Sequence, residues 1–278
     1  MKRTKRILVG LMVSIMLTTM VPALGLADNA GLTENDTQTI TVSPQTLEKN
    51  RLILELEEDV QNIISLEKLD GKDRTAYNKA VLKFLKKWKG IEINAADINS
   101  SRAITSKVLG VSAIGQETIY YCGPASAKQL LNYKNITTNP NDNRPATQSN
   151  LASDLNTSSS AGTPFPGTWE STLEDWTPWN WHTLWSPSKS DLKYYVRINC
   201  VADLPTICDT HMDDSNGYLP GYTTESWHYV TADGWRDDGI TEEVHYVDPN
   251  RYKSQAFGAH WVSYDLMANL VADRGIVW

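Results

Sequence analysis

The tightest constraint on this chain lies in residues 116–133, Q-E-T-I-Y-Y-C-G-P-A-S-A-K-Q-L-L-N-Y, where an extended apolar segment gives way to a helical pattern at a single cysteine. Pro124 suits a helix's first turn, because its missing N–H would be unpaired there anyway. Ala125, Ala127, Leu130, Leu131 and Tyr133 then carry small and apolar side chains at helical spacing. Cys122 is thereby placed at a helix N-terminus, with Ile119, Tyr120 and Tyr121 extended before it. Unpaired amides and the positive end of the helix dipole favour an anion at such a position, and the anion of a cysteine is the nucleophilic thiolate. Gln116 lies six residues upstream and can turn its amide toward the sulfur. A carboxamide donor beside a nucleophile is what a developing oxyanion needs.

A nucleophile of this kind needs a base and a group that orients it. Ser226 to Trp235 reads as a strand carrying His228, Arg236-Asp237-Asp238-Gly239 as a turn, and Glu243 to Val247 as the return strand, which ends at Asp248-Pro249-Asn250. His228 and Asp248 are each ten residues from Asp238, so a hairpin turning there sets them opposite each other. His245 on the return strand is the alternative base, and Asn250 the alternative orienting residue.

Composition is that of a globular protein, with 41% hydrophobic and 21% charged residues among 278. A net charge of -7 argues against nucleic-acid or anionic-membrane binding. At the N-terminus, Lys2, Arg3, Lys5 and Arg6 precede an apolar run from Ile7 to Val21, and small residues at Gly25 and Ala27 suit cleavage before Asp28. Residues 1–27 thus read as a signal peptide of bacterial style, too short in its apolar run for a full span, and the expected location is extracellular or cell-wall associated. Cys200 and Cys208 are then candidates for a disulfide, leaving Cys122 as the odd thiol.

Residues 28–107 form a helical N-terminal segment and linker. One helix opens at Ser43-Pro44 with the stripe Ile53, Leu56, Val60, Ile63 and Ile64. A second runs from Asp73 to Lys89 with Tyr77, Val81, Phe84, Leu85 and Trp88 on one face and Lys79, Lys83, Lys86, Lys87 and Lys89 on the other. The pair reads either as a pro-segment, acting as intramolecular inhibitor or chaperone, or as a permanent extension, with Arg102 and Lys107 as cleavage points under the first reading. From 108 onward the chain reads as an α+β domain. Residues 134–165 have loop composition, Tyr194 to Ile198 and Leu204 to Cys208 read as strands, His260 to Asp273 as a helix, and Gly275 to Trp278 as a last strand. Trp169, Trp176, Trp179, Trp181 and Trp185 serve either as core or as a platform for a peptide or sugar, with Trp179, Trp181 and Trp227 as the candidate substrate-binding residues. A metal reading of His211, Asp213 and Asp214 lacks a regular ligand pattern.

Q-E-T-I-Y-Y-C-G-P-A-S-A, W-H-Y-V-T-A-D-G-W and Y-V-D-P-N together resemble family thirty-nine of the cysteine peptidases, most nearly its secreted stand-alone relatives. The resemblance covers 108–278. It implies a papain-like fold, with a helix carrying the cysteine packed on an antiparallel sheet carrying His and Asp. It further implies Cys122 as nucleophile, His228 as base, Asp248 as third member and Gln116 as oxyanion donor, with a peptide or protein substrate and no cofactor or metal. The family's transporter-linked members cut double-glycine leader peptides, but this chain has no transporter segments. Alternatives are a cell-wall or peptide-binding module on the same scaffold, a peptidoglycan amidase, or a transglutaminase-type acyl transferase.

Overall fold

The computed structural model describes residues 44–68, 74–92, 106–237 and 240–278. The signal-peptide reading, the polar stretch after it, Ser43 and Arg102 lie outside the described residues. Helices α1 (Pro44–Lys68) and α2 (Arg74–Phe84) come first, and α2 runs into a π-helical turn, Leu85–Lys89. There follow β1 (Ser106–Val108), α3 (Cys122–Tyr133), α4 (Gln148–Asp154), α5 (Trp169–Trp176), β2 (Thr183–Trp185) and α6 (Lys189–Val201). The chain ends with β3 (Thr206–Met212), β4 (Ser226–Asp237), β5 (Glu242–Asp248), β6 (Gly258–Ser263), α7 (Tyr264–Val271) and β7 (Gly275–Val277).

The strands form one antiparallel sheet in the order β2-β7-β3-β4-β5-β6. The long β4 pairs with β3 through its first part, while β1 pairs with its end, from Ser106 opposite Arg236 to Val108 opposite Gly234. β1 therefore straddles the expected boundary at residue 108, and Lys107 is held by a bond from Nζ to the Cys200 carbonyl at 2.6 Å. Alternation along the strands feeds two cores. Cys208, Val230, Ala232 and Ile276 face one, with α6, α7 and the N-terminal helices. Ile207, Tyr229 and Val277 face the other, with α3, Leu151 of α4, α5 and Trp181. This is an α+β fold.

Local competition explains where the sequence expectations fail. Tyr194 to Ile198 has strand composition but lies in α6, because Ser188 and Asp191 close a capping box that starts a helix there. His260 to Ser263 is strand β6, paired with β5, and the helix begins only after Ser263 caps the Leu266 amide. Thr147 caps α4 inside a stretch whose composition reads as loop. Ile119 and Tyr120 form a turn, closed by Tyr121 N–H donating to the Thr118 carbonyl at 3.2 Å, so the chain swings sharply into α3. Cys200 and Cys208 are free buried thiols, not a disulfide.

The helical hairpin closes by charge, as its acidic and basic faces predict: Lys87 Nζ reaches Glu55 at 2.6 Å and Asp59 at 2.8 Å. Its apolar faces join the core of Tyr194, Tyr195 and Trp278, with Phe84 stacked on Trp278 at 5.9 Å. Lys89 departs from the expected polar face. The wider π turn rotates it inward, where it is fully buried over the indoles of Trp181 at 4.4 Å and Trp278 at 5.0 Å, its amine without a hydrogen bond. Burial holds the Lys89 ammonium well below its ordinary pKa, with Glu174 pulling weakly the other way. The unfolded chain then binds a proton that the folded chain releases, so stability rises with pH toward about 10. Lys89→Met fills a similar volume without the desolvation cost. It should raise the free energy of urea unfolding at neutral pH by about 1–2 kcal/mol and flatten that rise.

Candidate active site

Cys122 stands at the first position of α3, behind Tyr121. The helix is pinned to β4 by Thr231, whose hydroxyl donates to Gln129 Oε1 at 2.7 Å. Gly123 is required by close approach: a Cβ there would meet Thr163 Oγ1 at 2.3 Å, so only hydrogen lets the Thr163 loop cross the helix start. These contacts fix the sulfur against the strand that carries His228.

His228 and Asp248 meet, although not through the register expected from the sequence. The β4–β5 loop closes between Asp237 and Glu242, later than a turn at Asp238, and the ladder is shifted between Ala232 and Gly234. The ladder ends at Thr231 opposite Val247, which puts Asp248 two residues out of line with His228. An even offset keeps both side chains on one face, and the diagonal is within their reach. His228 Nε2 donates to Asp248 Oδ1 at 2.9 Å, with His228 5% and Asp248 0% exposed.

Asp248 is held in turn by Tyr222, which the sequence reading did not single out, and by Asn250, which it named as the alternative orienting residue. Tyr222 Oη donates to its Oδ2 at 3.1 Å, and the Asn250 amide to its Oδ1 at 2.7 Å. Asn250 also donates through Nδ2 to Tyr222 Oη at 3.0 Å, so it braces the carboxylate and does not orient the imidazole itself. No periodicity marks Tyr222. Its place in Pro220-Gly221-Tyr222 reads only as a turn. His245 is engaged elsewhere, paired through Nδ1 with the fully buried Asp233.

Electrostatics around the imidazole are strongly polarised. Burial pulls the His228 pKa down, but the Asp248 carboxylate and the hydrogen-bonded Cys122 side chain overcome it and raise the pKa to about 10. The Cys200 thiol is pushed up by burial, and Cys208 is pushed up to about 12 for the same reason. Gln116 is buried directly before the bend at residues 117–118; its Nε2 donates to the Thr118 carbonyl at 2.9 Å, leaving its second amide proton uncommitted. Its backbone N–H binds the Pro249 carbonyl at 2.8 Å, which ties the loop before Cys122 to the residue after Asp248.

A cleft of about 480 Å³ opens beside the sulfur, lined by Cys122, Tyr120, Thr163, Asp209, Trp227, Tyr229 and Arg274 among others. Of the expected substrate-binding tryptophans, only Trp227 lines it, 56% exposed. Trp181 is 1% exposed with its indole N–H on Thr177 Oγ1 at 2.8 Å, so it is core and offers no face to a ligand. Trp179 is half-buried against the same core, under Lys134. Of the two readings of the indole run, core and platform, the core one holds for Trp169, Trp176 and Trp181, which are fully packed because each side chain lands on an inward turn of α5 or the segment after it. None of the described residues in the N-terminal helices lines the cleft. Among the described residues, no group of three or more His, Cys, Asp or Glu side chains could hold a metal ion. His211 instead lies between Asp273 at 2.6 Å and Glu225 at 3.3 Å.

Comparison with known families places the chain. A model of the Peptidase_C39 like family matches residues 108–269, a span that holds the cysteine helix, His228 and Asp248. The chain belongs to the Peptidase_C39 like family. Among solved structures, a recombinant stem bromelain precursor aligns over 86% of this chain and 93% of its own at 13% identity and a TM-score of 0.34. A digestive procathepsin L 3 of Tenebrio molitor larval midgut aligns over 80% and 98% at 9% identity and a TM-score of 0.38. Among curated proteins nothing matches.

The His228–Asp248 pair should leave a signature in the stability of this Peptidase_C39-like chain. A folded pKa near 10, raised above the ordinary value of about 6.5, contributes stability that is complete below about 6.5 and lost as pH rises through about 10. Asp248→Ala strands the buried imidazolium. It should cost about 3 kcal/mol in urea unfolding near pH 6.5, with the deficit shrinking as pH approaches 10.

Proposed function

We propose that this chain is a secreted cysteine peptidase that hydrolyses peptide bonds through Cys122, His228 and Asp248. The observation that carries the reading is an imidazole held between the sulfur and a buried carboxylate beside an open cleft. Because Asp248 keeps the ring protonated far above neutrality, the proton sits on His228 when Cys122 attacks the carbonyl carbon. His228 then delivers that proton to the departing amine, and water hydrolyses the resulting thioester, returning a proton to the ring. Asp248 holds the ring's orientation through Nε2, leaving the other nitrogen to the sulfur. The free proton of the Gln116 amide and the Cys122 backbone N–H are the donors for the tetrahedral oxyanion.

Cys122→Ala should lower kcat/KM on a mixed peptide substrate by at least roughly a thousandfold, and full retained activity would end the reading. Iodoacetamide should label Cys122 alone in the folded chain, since Cys200 and Cys208 are both buried with their thiols pushed up. A peptide map with equal labelling at all three cysteines contradicts the site. Export is tested separately: N-terminal sequencing of the protein recovered from culture medium should begin at Asp28.

A further inference from the structure

The floor of the cleft carries a charge pair that the proposed bond-breaking chemistry does not use. Asp209 on β3 is 1% exposed and lines the same cleft as Cys122. Its Oδ2 accepts from Arg274 Nε at 2.9 Å and Nη2 at 2.6 Å, and its Oδ1 is buried without a hydrogen bond. Tyr229, directly across the ladder from Asp209, gives its hydroxyl proton to the Thr163 carbonyl at 3.2 Å, and its proximity only helps to hold the Asp209 carboxylate charged. A buried carboxylate oxygen with open lone pairs is costly, and a donor brought by a ligand recovers that cost.

The surroundings favour a cationic donor over a neutral one. Trp227 lines the cleft with its indole stacked on His211 at 4.7 Å and 6°, so one face is fixed and the other is free to cover an alkyl stem or an ammonium. His211 is itself bound by Asp273 at 2.6 Å and Glu225 at 3.3 Å, with Asp213 at 3.9 Å, so three carboxylates gather around the ring that Trp227 stacks on. Together with Asp209 in the cleft lining, four carboxylates stand about two basic side chains, Arg274 and His211. Burial raises the Asp209 pKa to about 6 against the pull of Arg274. Above that pH an acidic substrate side chain would meet a like charge, and an apolar one would leave Oδ1 unpaired.

We propose that Asp209 is a specificity-determining residue that selects a substrate carrying a basic side chain, lysine or arginine, beside the scissile bond. The inference deepens the peptidase reading and rests on it, but its test reads binding and not turnover.

The probes are fluorescently labelled tetrapeptide amides, randomised except at one position, which holds lysine, norleucine or glutamate, with that position scanned along the peptide. Anisotropy titrations use the full chain carrying Cys122→Ala, so no probe is consumed. At one position or more, lysine pools should bind about tenfold tighter than norleucine pools, with glutamate weakest. Adding Asp209→Asn should bring lysine and norleucine to parity. Equal binding of the three pools at every position, no binding of any pool, or a lysine preference that survives Asp209→Asn each overturns the inference. If Asp209→Asn fails to fold, the lysine, norleucine and glutamate comparison on the chain that keeps Asp209 still decides. Failure of the peptidase reading is seen elsewhere, in turnover that persists without Cys122.

Discussion

A charged imidazole buried beside a carboxylate that water does not reach is expensive to assemble, and much of this molecule is arranged to make it tolerable. Asp248 is offset from solvent by donors on every side: the His228 ring, the Tyr222 hydroxyl and the Asn250 amide. Each comes from a different part of the chain, so β4, the 218–222 loop and the turn after β5 must all be in place before the charge is satisfied. A half-built version leaves an unpaired buried ion, a state costlier than an apolar site. The hydrogen bond between Gln116 and Pro249 extends the same dependence to the loop that delivers Cys122.

Around that centre, the sheet divides its side chains between two cores. The face holding Tyr229 and Ile207 receives α3 and the packed indoles of Trp169, Trp176 and Trp181. The opposite face receives α6, α7 and the N-terminal helices. The hairpin thus finishes a core, with Phe84, Leu85 and Trp88 packed with Tyr194, Tyr195 and Trp278. Placed there, it lends mass to the scaffold while the cleft's lining comes from residues 119–274. Lys89 shows how strongly this docking is driven: the gain from burying its neighbours carries an amine under two indoles.

Several elements were legible from local chemistry. The start of α3 follows from Cys-Gly-Pro and the apolar spacing after it, and the β4–β5 hairpin from two strand-like runs and the turn residues between them. The pairing of His228 with Asp248 was legible only by a margin: the true register is displaced by two, and parity of the pleat is what kept the two side chains together. Tyr194 to Ile198 and His260 to Ser263 were misread because buried helices and buried strands share the same apolar residues. The deciding signals there were single caps, Ser188 with Asp191 and Ser263.

What the sequence alone determined is the set of strong local preferences: a cysteine at a helix start, a histidine on a strand, a carboxylate at a strand's end, and amphipathic helices ahead of them. Only the tertiary structure decided which of many polar residues join the centre. Tyr222, Asp209 and Arg274 carry no periodic or motif signature, and they matter because strands distant in sequence bring them beside Cys122 and Asp248. The physical reason is range. Backbone preference and side-chain spacing act over a few residues, whereas hydrogen bonding and charge pairing depend on through-space distances that exist only once the sheet has closed.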